Sequence, residues 1–145
     1  MIVITDSNVI FSALRNPNGT VAKIFNDKNN IQFLAPDFLI DEIKKHINKI
    51  VITQKRNKKE ILNDFDVLLT KIDIIKTIEI PKKNILEAIE IVKDIDIDDV
   101  LFVALHKYKK HKIWTSDKIL ITGLEKKGFF ICITTAELKE SLYKK

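Results

Sequence analysis

Cysteine, glycine and proline are scarce in this sequence, and their scarcity limits what the chain can be. It has one cysteine, three glycines and three prolines among 145 residues. The single cysteine, Cys132, excludes an internal disulfide and indicates the reducing cytoplasm as the compartment. So few glycines and prolines favour short connections between elements over long loops.

Long uncharged apolar runs are missing as well. No stretch approaches the roughly 20 residues that a helix needs to cross a bilayer. Met1 leads straight into a short apolar run without the basic region and cleavage site of a signal peptide, so we expect a soluble protein that contacts no membrane. Hydrophobic residues make up 46% of the sequence, which is enough for one packed core, and we expect a single domain over residues 1–145.

Positive charge is in modest excess: the net charge is +5, and nearly all of the cationic residues are lysines. This balance is compatible with a nucleic acid, an anionic membrane or an acidic partner. It equally fits a genome whose base composition favours Ile, Lys and Asn. The candidate RNA-phosphate contacts are the basic residues of one region, for which a solvated helix end is the alternative: Lys44, Lys45, Lys55, Arg56, Lys58 and Lys59.

Short apolar segments alternate with segments of helical pattern along the whole chain. The alternation predicts strands at 2–5, 31–34, 73–75, 113–115 and 129–133. Strands that alternate with helices form a mostly parallel sheet, so we expect a three-layer α/β/α fold with four or five strands. Ligands of such sheets bind beyond the carboxyl ends of the strands, which makes the residues after each strand candidates for a site.

Carboxylates occupy these places. Asp6 follows the first strand, Asp117 follows the strand at 113–115, and Asp99 opens an almost wholly apolar helix. Glu42 lies one turn into the helix after the second strand. Carboxylates gathered without a basic partner repel one another, and a divalent cation such as Mg²⁺ or Mn²⁺ relieves the repulsion. Such a cation can activate a water and stabilise the oxygens of a phosphodiester.

Each acid also has an ordinary structural explanation. Asp6, Asp117 and one of the pair Asp98 and Asp99 can be helix N-caps, and a surface glutamate such as Glu42 beside lysines is usually just solvated. The joint placement at strand ends and at the start of a buried helix favours a functional cluster over four unrelated caps.

Four segments resemble the PIN-domain nucleases, a family that includes the toxins of many prokaryotic toxin–antitoxin pairs. The segments are IVITDSNVIFSAL, FLIDEI, IDIDDVLFVALH and IWTSDKIL, in the family's order over nearly the whole chain. The resemblance implies a PIN-like fold and a metal-dependent endoribonuclease that uses Mg²⁺ or Mn²⁺. It also implies RNA as substrate and, for a toxin, a separate antitoxin protein as partner.

The resemblance also implies the roles of individual residues. It assigns the acidic, metal-binding positions to Asp6, Glu42, Asp99 and Asp117. It adds Asp96 as a further ligand, because the DIDD run is similar to a DPDD variant of the family. The supporting polar positions fall on Asn8, Thr115 and Ser116.

Two assignments stay open at this point. Helical phase does not separate Asp41 from its neighbour Glu42, and only the resemblance selects Glu42. In the same way Asp96 or Asp98 could take the place of Asp99.

The aromatic residues and the apolar helices carry two further expectations. The eight phenylalanines and Trp114 lie in apolar segments, so we expect them in the core and not on a surface that stacks bases. The apolar helices from 36 to 72 exceed what a minimal sheet needs to cover, which favours a homodimer.

Two other functional classes compete with a nuclease. A receiver or phosphohydrolase-type phosphotransfer domain would need a second acid near Asp6 or at the end of the third strand, and neither is present. A non-catalytic module that binds RNA or protein would not need the complete set of acids.

Overall fold

A sheet of five parallel strands forms the centre of the computed structural model, which describes residues 1–143. The strands are β1 (Ile2–Thr5), β2 (Gln32–Pro36), β3 (Ile72–Ile75), β4 (Ile113–Trp114) and β5 (Cys132–Ile133). They lie in the order β3-β2-β1-β4-β5, and every neighbouring pair is parallel. The predicted parallel sheet of four or five strands is confirmed.

Helices connect the strands and cover the sheet. They are α1 (Ser7–Arg15), α2 (Thr20–Asn26), α3 (Phe38–Gln54), α4 (Lys58–Leu69), α5 (Lys82–Val92), α6 (Val100–Lys109), α7 (Lys118–Lys126) and α8 (Thr135–Tyr143), with 3-10 turns at Thr77–Glu79 and Ile97–Asp99. The chain steps one way along the sheet through α1–α4 and back through α5–α7. Because such crossovers are right-handed, these two groups cover opposite faces. Contacts of α3 with α1 and α4, and of α5 with α6, agree with the predicted three layers.

One buried apolar cluster extends from Val3 to Leu138. Trp114 is fully buried, and its ring centroid lies 5.1 Å from that of Phe25 and 5.9 Å from that of Phe33. The core placement predicted for Trp114 is therefore confirmed. The prediction was wrong for Phe130, which is 69% exposed.

The exposure of Phe130 follows from how α7 ends. Gly128 has a φ of +86°, which favours glycine, and its N–H donates to the Glu125 carbonyl. The Phe129 N–H then donates to the carbonyl of Leu124 at 2.9 Å. The chain therefore wraps around the end of the helix through Phe129, and β5 is limited to two residues where five had been predicted.

The start of α3 also differs from the sequence prediction. The sequence predicted helices from residue 36 onward, but Pro36 is the last residue of β2 and pairs with Ile75. The Asp37 N–H donates to the Ile75 carbonyl at 3.0 Å, so strand pairing continues to Asp37 and the helix begins at Phe38.

Three broader expectations concern contact with a membrane, the number of domains and the oligomeric state. No helix within residues 1–143 is long and apolar enough to span a membrane. The single domain over 1–145 and the homodimer stay predictions.

Candidate active site

The ends of β1 and β4 bring the first two acids to the same edge of the sheet. Thr5 pairs with Trp114, and the Asp6 N–H donates to the Trp114 carbonyl at 3.1 Å. Asp6 then caps α1, and Asp117 caps α7 by accepting from the N–H groups of Ile119 and Leu120 at 3.0 and 3.1 Å. Both acids are N-caps, as their ordinary explanation requires, and they are also neighbours.

Thr115 links these two strand ends through its hydroxyl, which is fully buried. It donates to Asp6 Oδ2 at 2.7 Å and accepts from Asn8 Nδ2 and from the Asp117 N–H, both at 3.1 Å. Ser116 is exposed, and its backbone N–H lies 3.3 Å from Asn8 Oδ1. Among the three supporting residues, Thr115 and Asn8 therefore act through their side chains and Ser116 through its backbone.

Glu42 joins this cluster from α3. Its carboxylate is half-buried and accepts a hydrogen bond from the hydroxyl of Ser7, at the start of α1. Asp41 is exposed, so the structure favours Glu42 over Asp41 for a role in this site. Ser7 was not among the predicted site residues. The available signal was its place directly after Asp6, where a short hydroxyl at the first helical position can reach a neighbouring element.

The Asp99 carboxylate is enclosed by the protein and is poorly supplied with hydrogen bonds. It is only 7% exposed, and its Oδ2 has no hydrogen-bond partner within the described part of the chain. Asp96 and Asp98 are exposed, and the Asp98 N–H donates to Asp96 Oδ1 at 3.0 Å, which caps the 3-10 turn before α6. Of the three aspartates in the DIDD run, Asp99 is therefore the one whose carboxylate is enclosed.

Burial and mutual repulsion shift the ionisation of these acids. Burial raises the pKa of Asp6 to about 6, even though hydrogen bonds from Thr115 and from the Ser7 N–H oppose the shift. Burial also raises the pKa of Asp99 to about 8, and the charged neighbours that act on it most strongly are all carboxylates: Asp6, Asp96, Asp117 and Glu42. The pKa of Glu42 is raised by burial as well. Burial is the largest cause of each of these pKa shifts, and the neighbouring carboxylates add to it.

The carboxylate oxygens of these acids suit a hard divalent cation, although the described residues do not form a complete set of metal ligands. Across residues 1–143, no three His, Cys, Asp or Glu side chains are arranged as a metal site. The chemistry of the cluster nevertheless fits Mg²⁺ or Mn²⁺, which prefer carboxylate oxygens and keep several waters. Asp99 Oδ2, which has no hydrogen-bond partner among the described residues, is an oxygen that such an ion could bind. The residues that could hold it are Asp6, Asp99 and Asp117, with Glu42 beside them and Asp96 at the exposed edge.

The basic residues predicted to contact RNA fall into two groups. Arg56 donates from Nη1 to the Leu14 carbonyl at 3.0 Å and pairs through Nη2 with Asp64 at 2.6 Å and Glu60 at 3.0 Å. Its guanidinium therefore ties the α3–α4 connection to α1, and it is poorly placed to bind a phosphate. The remaining candidates are exposed: Lys44, Lys45, Lys55, Lys58 and Lys59.

Comparisons with known proteins agree with this architecture. A family model described as a PIN domain matches residues 4–142. The crystal structure of VapBC2 from Rickettsia felis, bound to a DNA fragment from its promoter, is similar with a TM-score of 0.63. That match has 15% sequence identity and covers 92% of this chain and 97% of that chain, so it supports the fold. No curated protein matches significantly. Because the family match extends over nearly the whole sequence, the chain belongs to the PIN-domain family of nucleases.

Proposed function

We propose that the chain is a metal-dependent endoribonuclease that hydrolyses RNA phosphodiesters at the carboxylate cluster. The observation that carries the proposal is the enclosed Asp99 carboxylate, whose Oδ2 has no partner and whose strongest charged neighbours are other carboxylates. A fold would lose stability by assembling such a cluster for structural reasons alone. A divalent cation is the simplest compensation.

The chain's own groups have distinct roles in this proposal. Asp6, Asp99 and Asp117 hold the cation, and Glu42 either holds it or orients the attacking water. Thr115 fixes Asp6 through its hydroxyl, and Ser7 orients Glu42. When bound, Mg²⁺ or Mn²⁺ would supply a water of lowered pKa and would stabilise negative charge on the phosphate.

The biological setting belongs to the same proposal. The similar structure contains VapBC2 with a DNA fragment from its promoter, and the resemblance noted above is to toxins of toxin–antitoxin pairs. We therefore propose that the chain is such a toxin, acting in the cytoplasm and inhibited by a separate antitoxin. A small gene directly upstream that encodes a protein binding this chain would support the assignment. An isolated gene without such a product would contradict it.

Cleavage of single-stranded RNA with Mg²⁺ or Mn²⁺ tests the enzyme directly. We expect Asp6→Asn and Asp99→Asn to lose cleavage by about 100-fold or more, because each removes charge and keeps size, in line with the strong effect of losing metal-mediated stabilisation. Asp41→Asn is the matched control, since it removes an exposed carboxylate next to Glu42 and should leave the rate unchanged.

The outcomes separate the candidate functions. Equal cleavage by all four proteins, or cleavage that persists in excess chelator, would refute the proposed mechanism. RNA binding without cleavage by the unmodified protein would favour the non-catalytic binding module. Circular dichroism of each variant checks that the loss of activity does not come from misfolding.

A further inference from the structure

A cleft between α1 and α3 leads away from the carboxylate cluster. Its volume is about 380 Å³, which lies within the range of about 300–1,000 Å³ typical of ligand pockets. One wall is α1, with Asn8, Phe11 and Arg15 at helical spacing, and the other is α3, with His46 and Lys49. The cleft is therefore a built feature of the contact between two helices.

The cleft is continuous with the proposed active site at one end. Asn8, which lines it, also donates to Thr115 in the site. His46 comes one helical turn after Glu42 on α3, and residues four apart lie on the same face of a helix. An RNA strand whose phosphate reaches the carboxylates therefore lies about one turn of α3 from the entrance of the cleft.

The residues that line the cleft include two aromatic rings and two cations. Phe11 and His46 are half-buried, and their rings meet edge to face with centroids 6.0 Å apart. Arg15 and Lys49 are exposed, and neither forms an ion pair with another residue in 1–143. The apolar Ile50 closes the bottom and is 2% exposed.

These observations select one kind of occupant. The unpaired cations Arg15 and Lys49 attract a phosphate, and the half-buried rings that line the cleft suit a flat base. We propose that the cleft binds one unpaired nucleotide of the RNA next to the scissile phosphate, with its base against Phe11 and His46 and its phosphate near Arg15 and Lys49. A paired base cannot enter the cleft, so the contribution of the cleft to RNA binding should be absent for a duplex. This inference rests on the proposed nuclease function.

Binding measurements test the cleft separately from cleavage. The probe is a fluorescent single-stranded oligoribonucleotide, compared by anisotropy with a duplex of the same sequence in the presence of chelator. We expect the double variant Arg15→Gln/Lys49→Gln to bind the single strand about 10- to 30-fold more weakly. The slope of log affinity against log salt should fall by about 0.7, since Arg15 and Lys49 neutralise one phosphate and each neutralised phosphate of a single strand contributes about 0.7.

Two further variants complete the design. Lys83→Gln/Lys139→Gln is the charge-matched control, since both lysines are exposed on α5 and α8, away from the cleft, and it should retain the affinity and most of the slope. Phe11→Leu keeps an apolar side chain and removes the ring. We expect it to weaken single-strand binding by about 3- to 10-fold, from lost stacking, and to leave duplex binding unchanged.

The results bear on the two proposals independently. Equal single-strand affinity and salt slope for the unmodified protein and the cleft variants would overturn the inference, and would point to a protein segment as the occupant. Equal losses in the cleft variant and the charge-matched control would also overturn it. No RNA binding by the unmodified protein has the same consequence, whereas RNA binding that depends on the cleft without cleavage refutes only the nuclease function.

Discussion

Asp99→Asn should stabilise the cation-free protein while it abolishes cleavage. The folded protein raises the pKa of Asp99 from its ordinary value of 3.8 to about 8, so the folded state binds a proton more tightly than the unfolded state does. The carboxyl group therefore costs nothing below about pH 4. The cost grows as the pH rises and levels off above about pH 8.

The size of this cost follows from the pKa shift. Each pKa unit is worth about 1.4 kcal/mol, so the shift of Asp99 corresponds to at most about 6 kcal/mol above pH 8. The asparagine amide keeps a buried polar group with an incomplete set of partners, which costs about 1–3 kcal/mol. We expect a net gain of at most about 3–5 kcal/mol at pH 8.5. For a chain of this length it corresponds to a rise in Tm of at most about 9–15 °C.

Thermal unfolding in chelator at about pH 4.5, 7 and 8.5 measures this effect. The gain from Asp99→Asn should be largest at the highest pH and should disappear at the lowest, where the variant is up to about 2 kcal/mol less stable because the cost of the buried amide remains. Asp98→Asn is the control, since Asp98 is exposed in the same turn. Added Mg²⁺ or Mn²⁺ should stabilise the unmodified protein and not the variant. A variant that is destabilised equally at all three pH values would refute the reasoning.

Two more variants test the surroundings of the site. Thr115→Val removes a fully buried hydroxyl that donates to Asp6. This variant should lower the free energy of unfolding by about 1–3 kcal/mol, shift the pKa of Asp6 further upward and slow cleavage. Thr115→Ser keeps the hydroxyl and should retain most activity. Urea unfolding and the pH profile of cleavage check this, and normal activity in Thr115→Val would contradict it. Arg56→Gln removes the ion pairs to Asp64 and Glu60 and should cost about 1–2 kcal/mol of stability without weakening RNA binding. Hydrogen bonds to charged groups are worth about 1.5–3 kcal/mol, and the partial exposure of both carboxylates lowers this value. Weaker RNA binding at unchanged stability would return Arg56 to the list of RNA contacts.

Most of the sheet could be predicted because its strands carry a strong local signal. Segments such as 2–5 are short, apolar and β-branched, and in a parallel sheet buried on both faces such a run is sufficient evidence of a strand. The end of α7 gives no such signal, because its path depends on the hydrogen bond from Phe129 to Leu124. Phe130 was therefore misplaced in the core. An apolar residue at a helix end can be directed to solvent by the backbone alone.

The candidate site was predictable for its aspartates at element ends and less so for the rest. Asp6 and Asp117 follow strands, and strand neighbours at one edge of a sheet are fixed by topology. Glu42 could not be separated from Asp41 by phase, since adjacent helical residues both point partly toward the same side. The hydrogen bond between Ser7 and Glu42 distinguishes them, and that contact joins residues 35 positions apart.

The cleft was hidden for a similar reason. Phe11 and His46 lie on different helices, and neither helix by itself shows alternating aromatic and basic residues. Their rings meet only because α1 packs against α3. A search for a base-stacking surface along the sequence would therefore miss it. The only sign of this surface in the sequence is the helical spacing of Asn8, Phe11 and Arg15, which places these residues on one face of α1.

The position of Asp99 connects stability with function. The residues that follow it in α6 include Phe102, Val103 and Leu105, which are at most 1% exposed. Their burial anchors the helix that begins directly after Asp99, so the core that stabilises the fold also holds Asp99 out of water and raises its pKa. A proton or a cation must then bind if the cluster is to form at low cost. Packing against the sheet thus fixes the negative charge in place, and the affinity of the proposed site for a cation would become a part of the folding free energy.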